Sequence, residues 1–278
     1  MSRTNTCLVA FVLLGVLALA GCWTMSARYA ALDTSPDLAL AARPGAPKPT
    51  GPVPVDRDKR VNLDEDPHLV GWWKLDNASG KTASDSSGHG RNGTLKGTVS
   101  FDNDSVPGRI GRALKLGTDD YIQITGYKGV TGTRPRTLAA WVKTTSGEGE
   151  IMSWGLEDYG SMWIFRIVRS GIHVEPGGGY LYTNSRVHDN EWHHVAAVVD
   201  EGDPPNLHDH ASLYKDGVVQ EIHDIGLLDL WPIDTGSDLD VRIGRRFEGL
   251  LDDVRIYDRA LSADEIEALF ESNNAGPR

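Results

Sequence analysis

Residues 247–267, which read FEGLLDDVRIYDRALSADEIE, decide the fold of this 278-residue chain. The first half of the segment has the β-branched and aromatic side chains of a packed strand, at Val254, Ile256 and Tyr257. The second half lacks this pattern and has the residue spacing of a helix start. The segment therefore predicts a strand followed by a short helix.

The helix start is a capping box formed by Ser262 and Glu265. In this motif the serine hydroxyl accepts a hydrogen bond from the N–H three residues on, and the glutamate reaches back to the serine N–H. Ile266, Leu269 and Phe270 then fall on one helix face. We therefore expect a short helix that packs its apolar face on the domain.

The rest of the chain from about residue 68 to residue 272 alternates short strands with turn signals. The chain has 31 glycines, no long amphipathic helix precedes residue 262, and Asp216-Gly217 is a hairpin signal. This pattern predicts an all-β sandwich. The candidate strands are residues 69–75, 112–116, 120–125, 137–144, 150–154, 162–168, 171–175, 192–199, 211–215, 219–223, 241–244 and 252–257.

The N-terminus predicts export. One basic residue, Arg3, precedes an apolar run from Cys7 to Ala20 that is too short for a good membrane span. The run ends in Leu-Ala-Gly-Cys at residues 19–22, which resembles the lipobox of bacterial lipoproteins. That resemblance implies a signal peptide over residues 1–21 and a lipid on Cys22. An ordinary signal peptide with a chance cysteine is the alternative.

The resemblance to lipoproteins also implies a location. Residue 23 is Trp, whereas an Asp there marks inner-membrane retention in Gram-negative lipoproteins. We therefore expect an exported protein anchored by lipid to the cell envelope, at the outer membrane if the cell is Gram-negative. Two or more acyl chains would anchor it stably, whereas one would not.

Composition limits the partners. The two cysteines of the chain are Cys7 and Cys22, so the exported domain has no disulfide. The net charge is −11, and without residues 1–21, which hold one Arg and no acid, it is 27 − 39 = −12. This charge argues against nucleic acid as a partner.

The chain divides into a tether, a domain and a tail. Residues 22–67 are Pro-rich in their middle part and charged towards their end, so they predict a flexible, lipid-anchored tether. Residues 68–272 predict the folded domain, and residues 273–278 a disordered tail.

Six separated motifs precede residues 247–267 in the chain. They are GWWKLD at 71–76, DSSGHG at 85–90, GRALKL at 111–116 with DDYI at 119–122, TLAAWVK at 137–143, EWHHVA at 191–196 and LYKDG at 213–217. In this order they resemble the laminin-G-like, concanavalin A-like lectin/glucanase domains. The resemblance implies a concanavalin A-like jelly-roll sandwich of two antiparallel sheets with a short C-terminal helix.

The same resemblance implies a structural calcium ion. Domains of this type often hold calcium where the first and last strands lie side by side, and calcium takes six to eight oxygen ligands. The matching positions are Asp76, Asp85, Asp252 and Asp253. Strand alternation predicts that only one of the last two faces inward.

The alternative for these acids is structural. Asp85 would then form a turn, and Asp252 or Asp253 would pair with Arg255 or Arg242.

Aromatic residues in or beside glycine-rich connections are the candidate ligand contacts. Aromatic faces can stack on the C–H faces of sugar rings, and loops often carry the contacts of a sandwich scaffold. Loop packing is the alternative interpretation. The candidates are Tyr159, Trp163, Tyr180, Tyr182 and Trp231.

No catalytic constellation is recognised. Glu148-Gly-Glu150 lacks the further acids of the glycoside hydrolase strand it approaches, and Asp238-Leu-Asp240 has no third acid. His193 and His194 are adjacent on a strand and point to opposite faces, so they cannot share a ligand. The sequence therefore predicts no catalytic residues.

The sequence and its resemblance together favour an envelope-anchored binding module for a polysaccharide or glycosylated matrix. A protein-interaction or scaffold module of the envelope is the second hypothesis. A glycan-active enzyme on the same fold is the third.

Overall fold

The computed structural model describes residues 62–224 and 231–272, and they form a sandwich of two antiparallel sheets. The predicted signal peptide, Cys22, the tether up to residue 61 and the tail at 273–278 lie outside the described residues. No helix within the described ranges is long and apolar enough to cross a membrane. The predicted fold, an all-β sandwich with a short C-terminal helix, is confirmed.

Within the described ranges, seventeen strands build the two sheets. They are β1 (Leu69–Trp73), β2 (Thr82–Ala83), β3 (Gly93–Lys96), β4 (Ser105–Pro107), β5 (Arg112–Leu116), β6 (Tyr121–Ile124), β7 (Arg136–Lys143), β8 (Gly149–Gly155), β9 (Met162–Val168), β10 (Gly171–Glu175), β11 (Leu181–Tyr182), β12 (His193–Val199), β13 (Ala211–Lys215), β14 (Val218–Val219), β15 (His223–Asp224), β16 (Leu239–Ile243) and β17 (Gly249–Tyr257).

The strand order follows from two paths. The eight-stranded sheet runs β14-β13-β12-β7-β17-β5-β4. The long strand β17 has two partners on the same edge: β5 pairs with its first half, and β1 pairs with its second half. The nine-stranded sheet runs β15-β11-β10-β9-β8-β16-β6-β3-β2. The first and last strands of the domain are therefore neighbours, with Trp73 opposite Val254.

Helices are short. A 3-10 helix spans Leu63–Glu65, and the α-helices are α1 (Phe101–Asp104), α2 (Leu207–His210) and α3 (Ala263–Ser272). The capping box at the start of α3 is confirmed, because the Glu265 N–H donates to Ser262 Oγ over 3.2 Å and the Ser262 N–H donates to Glu265 Oε2 over 2.8 Å.

The main core lies between the sheets and follows strand alternation. On β9, Trp163, Phe165 and Ile167 are fully buried in this core, and Ile164 and Arg166 on the other face are only half-buried. The pleat of a β-strand produces this alternation, since successive side chains point to opposite faces of the sheet.

A second apolar cluster covers the outer face of the eight-stranded sheet. It joins Ile266 and Leu269 of α3 to Tyr257 on β17 and to Leu63 in the 3-10 helix. Asp66 also binds the Arg259 guanidinium. Residues 62–67 thus pack on the domain through a buried leucine and an ion pair.

A β-bulge interrupts β17. Asp252 lies opposite Trp141 of β7, but Arg255 lies opposite Ala139, so β17 has one extra residue in between. Asp253 has a φ of 48°, the left-handed backbone conformation. Both acids are buried and line one pocket. The prediction that only one would face inward assumed uninterrupted alternation, which the bulge breaks.

Candidate functional site

An acidic pocket lies where β1 and β17 meet. Its volume is about 160 Å³. Three of the four predicted metal-binding acids line it, and Asp85 does not. The lining residues are Asp64, Trp72, Lys74, Asp76, Ile110, Asp252, Asp253 and Arg255.

Asp252 is the acid in this pocket that is least satisfied. It is fully buried, and its Oδ2 accepts the Ile110 N–H over 2.8 Å. Its Oδ1 has no hydrogen-bond partner among the described residues. Burial raises the pKa of Asp252 to about 8. An unpaired buried carboxylate is unfavourable, so a cation beside it would stabilise its charged form.

Asp76 reaches the same loop from β1. Its Oδ1 accepts the Arg112 N–H over 2.6 Å. The loop passes close to both carboxylates only because of two glycines: a Cβ on Gly111 would lie 2.6 Å from Asp76 Oδ1, and a Cβ on Gly108 would lie 2.6 Å from Asp252 Oδ2. The glycines therefore make room for two carboxylates and the loop backbone to converge.

Asp253 is occupied by an ion pair. Its Oδ2 accepts from Arg255 Nε over 2.9 Å, and its Oδ1 accepts from the Trp72 indole N–H. Arg255 also donates to Asp64 over 2.6 Å. The alternative that one of the paired acids binds Arg255 is confirmed for Asp253.

Asp85 belongs to a turn. It accepts backbone N–H groups from Trp72 over 3.1 Å, from Ser87 over 2.9 Å and from Arg91 over 2.9 Å. Burial opposes its ionisation, yet these bonds hold the pKa of Asp85 below its usual value. The three bonds occupy the carboxylate with backbone N–H groups of its own loop and of β1.

The pocket offers two carboxylates as calcium ligands. No group of three His, Cys, Asp or Glu side chains suited to a metal exists in the described part of the chain. Calcium accepts backbone carbonyls and waters beside carboxylates, so two acids can be enough. Asp252 with its unpartnered oxygen and Asp76 are the two that the pocket offers.

A second candidate site is an exposed aromatic pair on loops at one end of the nine-stranded sheet. Tyr159 is 63% exposed and Trp231 is 48% exposed. Their ring centroids lie 6.0 Å apart with 49° between the planes. Gly178 and Gly160 lie against the two rings, where a Cβ would collide with Tyr159 and lie 2.8 Å from Trp231.

Tyr180 and Tyr182 belong to an aromatic row beside this pair. The row runs from His173 on β10 to Tyr182 and then His223, which lie opposite each other across three strands. The centroids of Tyr180 and Tyr182 are 5.9 Å apart, and both rings are half-buried. Burial lowers the pKa of His173 to about 3, so this ring is neutral at physiological pH.

Trp163 is separated from the other aromatic candidates. It is fully buried between the sheets. Its ring centroid lies 6.4 Å from that of Trp154 and 5.2 Å from Cζ of Arg136. Its ring cannot stack on a sugar at the surface. Its alternation with Phe165 and Ile167 was the sequence signal for the core.

The adjacent histidines do not share a site. His193 is held between two carboxylates, 2.8 Å from Asp216 and 3.1 Å from Asp189. His194 is buried with its ring 5.4 Å from Trp141, and burial lowers the pKa of His194 to about 4.

Comparison with known proteins gives the family and fold. Residues 116–267, more than half of the chain, match the family model Laminin_G_3, described as the concanavalin A-like lectin/glucanases superfamily. No match was found among curated proteins.

Solved structures of similar fold include the following two. Domain 4 of AbnA, a GH43 extracellular arabinanase from Geobacillus stearothermophilus, in complex with arabinotriose, is 20% identical over 72% of this chain and 97% of that domain, with a TM-score of 0.55. The binding domain of Paraclostridial Mosquitocidal Protein 1 is 18% identical over 74% of this chain, with a TM-score of 0.53. The match covers 52% of that binding domain.

Proposed function

Because the chain belongs to the concanavalin A-like lectin/glucanase superfamily, we propose that it is a non-catalytic carbohydrate-binding module. The fold alone does not determine activity, so the proposal depends on a site. In this proposal the loops at the end of the nine-stranded sheet contact the ligand, and calcium stabilises the seam between β1 and β17.

The observation that carries the proposal is the exposed pair of Tyr159 and Trp231. Large aromatic side chains in this position offer two tilted faces to solvent, and aromatic faces stack on the apolar faces of sugar rings. Glycine contacts under both rings limit their movement, so little ordering is needed when a ligand binds.

The half-buried rings of Tyr180, just before β11, and Tyr182, on β11, extend the aromatic surface of this pair. A ligand that contacts Tyr159 could reach this row, since Gly178 lies between them in the chain and touches Tyr159. The AbnA domain with bound arabinotriose supports an oligosaccharide as the ligand class. A polysaccharide or a glycoprotein glycan would present such a chain.

A glycan array probed with the full chain in calcium tests the proposal. We expect binding to at least one oligosaccharide on the array, and Tyr159→Ala with Trp231→Ala should weaken that binding at least tenfold. The matched control is Val218→Ala with Val219→Ala on the exposed β14, which should bind as the wild type does. Absence of binding to every glycan would overturn the proposal in favour of an envelope scaffold module.

Asp252 and Asp76 are the proposed calcium ligands. The support is the unpartnered Asp252 Oδ1 and the two glycines that admit the loop. The ion would supply the positive charge that the buried carboxylate lacks. Asp85 and Asp253 are in this proposal structural neighbours, since the first holds a turn and the second holds Arg255.

Anchoring to the cell envelope is a separate proposal that rests on the Leu-Ala-Gly-Cys sequence at residues 19–22. Metabolic labelling with palmitate in a bacterial host tests it. We expect label in the wild-type chain and none in Cys22→Ser. Label that persists in Cys22→Ser would contradict lipidation at this residue.

A further inference from the structure

A second cavity lies on the other side of the sandwich, against the outer face of the eight-stranded sheet and beside α3. Its volume is about 340 Å³, within the range of small-ligand pockets. No residue of the Tyr159–Trp231 pair lines it. It is lined by the aromatic residues Trp141, Trp192 and Phe270 and by the polar residues Arg109, Glu191, His193 and Asp216.

The walls are aromatic. Trp141 is almost fully buried and stacks on Phe270, with centroids 5.7 Å apart and 30° between the planes. Trp192 is half-buried and borders the same space. The indole N–H of Trp141 has no hydrogen-bond partner in the described ranges. These walls suit a ligand with an apolar face.

The other lining residues carry charges of both signs. The two ring nitrogens of His193 contact Asp216 over 2.8 Å and Asp189 over 3.1 Å. Arg109 brings a positive charge to the cavity, and Glu191 and Asp216 bring negative charges. An anionic ligand would meet the carboxylates, and a cationic ligand would meet the guanidinium.

A neutral ring with hydroxyl groups meets neither penalty. Its hydroxyls can donate to carboxylates and accept from the Arg109 guanidinium, and its C–H face can lie on an aromatic wall. Arg109 itself lies over Trp141, with Cζ 4.8 Å from the ring centroid. It is therefore held at the cavity by a cation–π contact, and the structure gives its guanidinium no ion pair within the described residues.

We infer that this cavity binds one neutral sugar residue, at a second site separate from the Tyr159–Trp231 pair. The inference rests on the proposed function for its ligand class. The inference goes beyond the proposed function because it places a site on the opposite sheet and specifies an uncharged sugar.

Saturation-transfer NMR on the full chain tests the inference. The neutral probes are the methyl glycosides of arabinose, glucose and galactose, and the charged probes are those of glucuronic acid and glucosamine. We expect at least one neutral probe to bind in the wild type and in the Tyr159→Ala/Trp231→Ala variant, and the charged probes to bind more weakly.

Trp192→Ala should weaken that binding about tenfold or more, since it removes an aromatic wall. Because Trp192 precedes β12 directly and its removal could disturb that strand, Glu191→Gln serves as a second variant. Glu191 is exposed, so this change removes the charge of a carboxylate that would accept from sugar hydroxyls, and it leaves the core intact. It should also weaken binding, with an unchanged thermal midpoint.

The outcomes separate the two proposals. If the Tyr159→Ala/Trp231→Ala variant loses all sugar binding, the second site is overturned and the proposed function stands. If no neutral probe binds the wild type, or if the charged probes bind more tightly, the inference is overturned. Loss of all binding on the glycan array would overturn the proposed function as well.

Discussion

Asp252 and Asp253 line the same pocket although they are neighbours on one strand. The bulge in β17 makes this arrangement, and it gives the two carboxylates different partners. Asp253 is paired with Arg255, whereas Asp252 has an oxygen without a partner in the described part of the chain. Asp253 therefore has its charge balanced within the chain, whereas the charged form of Asp252 would be stabilised by a cation.

Calcium should raise the stability of the wild-type chain. A ligand that binds only the folded state adds about 2.7 kcal/mol at a concentration of about 100 times its Kd. For a domain of this size that corresponds to a rise in Tm of several degrees. Thermal unfolding in calcium and in chelator measures it.

Asp252→Asn should remove most of the calcium response, and Asp119→Asn, on an exposed loop, should keep it. A wild-type midpoint that is the same with calcium and with chelator would argue against the calcium site.

In the metal-free chain the contribution of Asp252 to stability should fall as the pH rises from about 4 to about 8. The unfolded Asp252 releases its proton at about pH 3.9, whereas burial raises the folded pKa to about 8. Between these values the folded state holds the proton and the unfolded state does not, so the contribution to stability is greatest below about pH 4 and declines as the pH rises.

Urea unfolding in chelator at pH 5, 6.5 and 8 checks this, with Asp252→Asn beside the wild type. Relative to the asparagine variant, which does not titrate at this position, the wild type should lose stability from pH 5 to pH 8. Equal slopes for the two proteins would count against a raised pKa at Asp252.

Breaking the buried ion pair should be costly. Asp253→Asn leaves Arg255 buried without its buried carboxylate partner, and such changes cost about 3–5 kcal/mol. Asp64→Asn removes the more exposed partner of Arg255 and should cost about 1 kcal/mol or less. Urea unfolding gives both values, and similar losses for the two variants would contradict the distinction.

Trp163 and Tyr159 should behave as opposites. Trp163→Ala opens a cavity between the sheets and should lower the free energy of unfolding by about 3–5 kcal/mol. Tyr159→Ala changes an exposed ring and should alter stability by about 0.5 kcal/mol or less. Denaturant unfolding of the two variants, together with glycan binding by Tyr159→Ala, distinguishes a core residue from a contact residue.

Strand positions were largely predictable because they depend on local patterns. The candidate strands at 112–116, 162–168, 171–175 and 211–215 match β5, β9, β10 and β13. The strands β2, β3, β4 and β11 have two to four residues and were missed, since so few residues show no alternation.

The sites were harder to predict because they depend on contacts between distant residues. Strand alternation assigned Asp252 and Asp253 to opposite faces, and only the pairing of β17 with β7 reveals the bulge. The exposure of Tyr159 and Trp231 depends on glycines at 178 and 160 that lie against them. Trp163 was placed with the loop aromatics although its own strand pattern indicated the core.

The loop at residues 108–112 links the two pockets on the eight-stranded sheet. Ile110 donates its N–H to Asp252, and the preceding residue, Arg109, lies over Trp141. A cation that fixes Asp252 would also fix the loop that presents Arg109 to the second cavity. Thermodynamic reciprocity then requires that a sugar bound beside Arg109 tighten calcium by the same factor by which calcium tightens the sugar. The affinity of the domain for sugar would in that case rise with the calcium concentration around it.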